Sequence, residues 1–195
     1  MKNIFTAIAA TAATAAALSL IMAQQAQAIS FNFNWQGNGG YSAKGMFSYD
    51  ETTAGPIISE SGAGPTKDLQ SLMVSFFGPG GTPLQSFNTV TNGVSESDFF
   101  RFNFNTSTQT LFGNFNVGGG QGVIGEQFLS GTIGSFLRLG QDVDQKGTSI
   151  TLDSNSGAIT VSQVPEPASV LGLLAFGALG ATLKRNKKLV SSEKA

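Results

Sequence analysis

The chain has 195 residues, 12% charged and 41% apolar, with 25 Gly and 16 Phe but no Cys and no His. That length suits one folded domain, or two at most. The missing residue types exclude disulfides, thiolate zinc sites, cysteine nucleophiles and the commonest general base, so an enzyme is not expected. No cofactor and no metal is expected either.

At the N-terminus, Lys2 precedes an apolar run from Ile4 to Met22 built of Ala, Leu and Ile with scattered Thr and Ser. Ala26-Gln27-Ala28 then places small residues at the two positions a signal peptidase must accommodate. The three parts together predict a signal helix over residues 1–28, with Ala26 and Ala28 recognised by signal peptidase and cleavage after Ala28. The alternatives are an Ala-rich soluble helix or a retained membrane anchor; an Ala-rich helix would not explain why this site runs directly into the strand-like Ile29-Ser30-Phe31.

Residues 29–163 read as the exported domain. Between Ile29 and Val164 stand five basic and ten acidic residues, a net charge of about −5 that the whole-chain −1 conceals. No basic footprint for nucleic acid is present, so no nucleic-acid partner is expected. Phe31, Phe33 and Trp35 alternate with Asn32, Asn34 and Gln36, the period of a strand with one buried and one wet face. Phe100, Phe102 and Phe104 repeat the alternation with Arg101, Asn103 and Asn105. After a Thr-Ser-Thr-Gln turn, Leu111, Gly113, Phe115 and Val117 repeat it again, so the two runs predict a hairpin. Further strands are expected over 41–50, 69–78, 84–92, 128–138, 148–153 and 157–163. Turn signals separate them at Gly78-Pro79-Gly80-Gly81, Gly118-Gly119-Gly120 and Asn155-Ser156-Gly157. No stretch of this region has a helical period. The fold expected is all-β, a β-sandwich or jelly roll of roughly nine strands, flanked by the signal helix and a C-terminal transmembrane helix.

Several side chains in this region invite a chemical reading. Asp142, Asp144 and Asp153, with Gly147 at the sixth position of the run, echo a calcium loop, but Lys146 occupies a ligand position and the flanks are strand-like. A polar hairpin turn is the favoured account. Glu96 and Asp98 form a close acidic pair, yet neighbours in sequence do not face each other across a substrate. Trp35, Tyr41 and Tyr49 offer either a sugar-stacking platform or, as favoured, core packing. Asn105-Thr106-Ser107 fits a glycosylation sequon and is read as a chance match in a turn.

The C-terminus carries a second signal. Val164-Pro165-Glu166-Pro167 is followed by Ala168–Leu183, 16 residues without a charge, and then by Lys184, Arg185, Lys187 and Lys188. The prolines forbid a helix from running back into the domain. As a helix the apolar run spans about 24 Å, short of the bilayer core of about 30 Å, and lysine stems can snorkel to make up the difference. The basic cluster is expected to stay cytoplasmic, which leaves residues 189–195 as a cytoplasmic tail.

This tripartite tail, over residues 164–188, resembles the PEP-CTERM sorting signal of Gram-negative bacteria, including cyanobacteria. Leu189 to Ala195, beyond the basic cluster, is a mild departure from that pattern. The resemblance implies recognition by an exosortase, an integral membrane enzyme, with Val164, Pro165, Glu166 and Pro167 as substrate residues. It also implies association with exopolysaccharide, and an exported protein anchored at least transiently before it reaches the cell surface or extracellular matrix. A plain single-span anchor with an incidental Pro-Glu-Pro linker is the alternative for the tail. For the domain, a non-enzymatic surface or matrix protein is expected, ahead of a carbohydrate-binding module and an exported hydrolase.

Overall fold

The computed structural model describes residues 28–119, 122–144 and 147–165. Of the expected signal segment (residues 1–28) only Ala28 lies within these residues, as the first residue of a strand, and the expected membrane helix (168–183) lies outside them. Among the described residues no helix is long and apolar enough to cross a membrane.

Strand β1 (Ala28–Gln36) runs back along β2 (Ser42–Asp50) through nine register pairs. The alternation in β1 buries Phe31, Phe33 and Trp35 and leaves Asn32, Asn34 and Gln36 exposed. Gly45 lies opposite Phe33, and a Cβ there would stand 2.1 Å from the Phe33 ring, so a bare backbone at that point makes room for an aromatic side chain. After β3 (Ile57–Ser61) and β4 (Gly64–Pro65) come β5 (Leu69–Phe77) and β6 (Pro83–Thr91), joined by the expected Gly-Pro-Gly-Gly turn, which Gly81 N–H closes onto the Gly78 carbonyl at 3.0 Å with Gly80 at φ 76°. The chain continues through β7 (Val94–Ser95), β8 (Arg101–Asn105), β9 (Thr110–Leu111), β10 (Gly113–Gly118), β11 (Gln127–Ile133), β12 (Phe136–Asp142), β13 (Ser149–Asn155) and β14 (Thr160–Gln163).

These strands form two antiparallel sheets, neither closed into a barrel. The first has the order β14-β1-β2-β5-β6-β7-β4; the second has the order β13-β12-β11-β10-β8-β3, with β9 beside β8. Their apolar faces meet in one aromatic core. Phe47 of β2 stacks on Phe31 at 5.4 Å and meets Phe102 and Phe104 of β8 edge-on at 4.9 Å each. Phe33 meets Phe115 of β10 edge-on at 5.7 Å. Offset and edge-to-face rings add about 0.5–1.5 kcal/mol per pair beyond their buried area.

The structure departs from the expected count of roughly nine strands: the described residues form fourteen. One reason is that 128–138 is not a single strand. Ser135 N–H closes onto the Thr132 carbonyl at 3.1 Å with Gly134 at φ 81°, and the turn splits the run into β11 and β12. A second reason is that β4, β7 and β9 are two-residue rungs too short to carry a period. The expected hairpin of 100–105 with 111–117 is interrupted as well. Phe104 pairs with Leu111, but Arg101 pairs with Asn116, two residues beyond a continuous register. Phe112 and Gly113, at φ 64°, take up the slack, and Phe112 is left exposed.

Candidate functional site

The start of β1 and the end of β14 lie side by side. Phe31 pairs with Gln163, and the Val164 N–H donates to the Ser30 carbonyl at 2.8 Å, one rung beyond the assigned strand. Ala28 is exposed, Val164 half-buried and Pro165 exposed. Ala26, Glu166, Pro167, Lys184, Arg185, Lys187 and Lys188 lie outside the described residues. Around this corner, Asp50 closes the turn after β2 through Thr52 N–H at 2.9 Å and Thr52 Oγ1 at 2.6 Å, and the two bonds hold its carboxyl below the usual range. The Asn105 side chain accepts from Ser107 and Thr108 N–H at 3.0 and 2.9 Å, so the sequon asparagine caps its own turn. In the same turn Gln109 Nε2 reaches Gln163 Oε1 at 3.3 Å.

The acidic residues go to different places. Asp153 is buried in β13 and holds the β1–β2 turn: Gly39 N–H reaches both of its oxygens at 2.8 and 2.9 Å, and Tyr41 N–H reaches one at 3.0 Å. Asp144 accepts from Thr148 N–H at 2.9 Å and so closes its own turn. Asp142 pairs in register with Ser149, several rungs from the Leu139–Asp153 pair, so the three carboxylates do not converge. Among the described residues no group of acidic side chains could hold a metal ion. Burial raises the Asp142 carboxyl above its usual range, Glu126 and Asp144 add to this, and Arg138 opposes it. Glu96 lines a cleft of about 280 Å³ together with Glu126, Asn88 and Ser97, whereas Asp98 is exposed outside it.

The three aromatic candidates belong to the interior. Trp35 is 1% exposed and Tyr49 4%, and burial, with Glu51 nearby, pushes the Tyr49 phenol up. Tyr41 packs half-buried against the same core. The outer face of the first sheet instead carries an open groove of about 680 Å³ without charged lining. Met46 and Met73 lie directly opposite each other in its floor, beside Ser48, Ser71 and Asn88.

One residue that the sequence does not single out does work of the same kind as Asp153. Glu60, buried in β3, accepts from Lys67, Asp68 and Leu69 N–H at 2.7–3.3 Å and closes the loop between β3 and β5.

Residues 163–187 match the PEP-CTERM protein-sorting motif, so the chain carries the sorting domain of exported proteins processed by an exosortase. No curated protein and no solved structure matches the chain.

Proposed function

We propose that the chain is a non-enzymatic protein of the cell surface or extracellular matrix of a Gram-negative bacterium, associated with exopolysaccharide. It is exported by its N-terminal signal, held transiently by a membrane helix over 168–183, and released to its address by exosortase. The observation that carries this reading is the sorting motif, which begins on Gln163, the last residue of β14, where the folded strands end. Pro165, exposed just past the end of β14, lies where the chain leaves the sheet. Asp98, exposed outside the cleft that Glu96 and Glu126 line, does not join Glu96 there, which supports the non-enzymatic reading over a hydrolase built on the Glu96–Asp98 pair.

The second reading, a carbohydrate-binding module, rests on the groove of Met46, Met73, Ser48, Ser71 and Asn88 and not on the tryptophan and tyrosines. Hydroxyl and amide groups beside uncharged thioethers suit a neutral polyol better than an ion.

The test is the intact mass of the mature protein from fractionated cells with and without the exosortase. Loss of residues 1–28 in both strains, with loss of the tail only when exosortase is present, is the expected result. Retention of Ala168–Ala195 in both strains means a plain membrane anchor and ends the sorting reading.

A further inference from the structure

We infer that β14 is a releasable strap: the sorting enzyme acts on a form in which residues 160–165 have unzipped from β1. The inference rests on the exosortase reading above and concerns the state of the substrate that the enzyme meets.

In the folded form the motif is partly zipped into the sheet. Gln163 faces Phe31 across the ladder, and Val164 N–H is committed to Ser30. Enzymes that act on a peptide bond take the chain extended and use the backbone groups flanking that bond, as a strand added to a sheet does. Those groups are engaged up to two residues before Glu166. The apolar run begins at Ala168, and four extended residues from Val164 reach at most about 14 Å. A membrane-embedded enzyme would have to work in that gap beneath a folded domain. Freeing Thr160–Val164 adds about 17 Å more, enough to move the domain off the enzyme.

The strand is built to leave. It is the outermost strand of its sheet, it meets β1 at only four register pairs, and β1 keeps nine pairs to β2 on its other side. Three of its four side chains are exposed; only Val161 is half-buried against the core. Edge segments with few buried contacts open first in a native protein. Upstream the peel has a stop. Asn155 is buried, its Nδ2 donates to the Gln36 and Ala158 carbonyls at 2.8 and 2.9 Å, and its Oδ1 accepts from Gly157 N–H at 2.8 Å. Opening therefore ends near Ile159 and leaves the core closed.

The test locks the strap. Asn32 and Ser162 are exposed and directly opposite, and the native chain has no cysteine, so Asn32→Cys with Ser162→Cys allows a single disulfide. Cα atoms of such a pair stand about 5.5 Å apart, within the range a disulfide spans. The full-length double variant is expressed in exosortase-containing cells, with and without a membrane-permeable reductant, and tail removal is followed by intact mass. Tail removal from the oxidised form is expected to slow by roughly tenfold or more, and reduction to restore the wild-type rate. Equal processing of the oxidised and reduced forms, fast or absent, overturns the strap. Retention of the tail by the wild-type chain in the same cells overturns the sorting reading itself. Val161→Asp, which loosens the strap, is expected to speed tail removal; an unchanged or slower rate counts against it.

Discussion

Replacing Asp153 with Asn separates a structural clamp from a calcium ligand. The Asp153 carboxylate takes Gly39 N–H on both oxygens, Tyr41 N–H on Oδ2 and Ser154 N–H on Oδ1. An asparagine keeps one acceptor and turns an amide N–H toward donors that have no other partner in that turn. Hydrogen bonds to a charged group contribute about 1.5–3 kcal/mol each, so losing one or two of them costs about 2–4 kcal/mol. That is a large share of a domain stability of about 5–15 kcal/mol, and for a domain of this size it lowers Tm by about 10 °C. Urea titration of the mature protein, followed by circular dichroism, measures the loss. Calcium gives the counter-test, because a ligand at a hundredfold its Kd would raise wild-type stability by about 2.7 kcal/mol. The clamp predicts no calcium effect on either protein. An Asp153→Asn protein within about 0.5 kcal/mol of wild type, or a wild type stabilised by millimolar calcium, refutes the reasoning.

Two other perturbations follow from the core and from the acidic turn. Phe47→Ala removes a fully buried ring that touches Phe31, Phe102 and Phe104, and is expected to cost about 4 kcal/mol, against about 1 kcal/mol for Phe47→Leu, read as a shift in the urea midpoint. The raised carboxyl of Asp142 means that the folded protein holds a proton which the unfolded chain gives up near the ordinary 3.8. Its ionisation therefore opposes folding above that range. Asp142→Asn should be more stable than wild type at pH 7, and the advantage should vanish as the pH falls below about 3.8, which thermal melts across pH will show.

Much of the architecture is legible in the residues themselves. The Phe-x-Phe runs at 31–35 and 100–104 announce strands because alternate aromatic side chains have one dry face to occupy. The turns at 78–81 and 155–157 are announced by residues that accept unusual backbone angles. Strand β3 is not announced. Ile58 is the one apolar side chain it turns inward, and the next inward position holds Glu60, whose burial is made possible by three backbone N–H groups seven to nine residues away. A carboxylate satisfied by a loop leaves no period to read. The same holds for Asp153, which at the level of sequence looks like a loop ligand and in the fold binds a turn more than a hundred residues earlier. The sorting motif, by contrast, is legible because its order, composition and place in the chain suffice, with no tertiary contact needed.

The burial of Trp35 has an optical consequence. It is the single tryptophan of the chain, and its ring lies under the turn that Asp153 holds. One fluorophore in a dry aromatic interior should emit at short wavelength and resist quenching by acrylamide or iodide. Because it sits on β1, on the same core-facing side as Phe33 and its partner Val161, and lines a cavity with Ile159 and Thr160, it serves as a native reporter. A peeled β14 would open it in part to quencher, whereas loss of the whole core would shift its emission fully to the red.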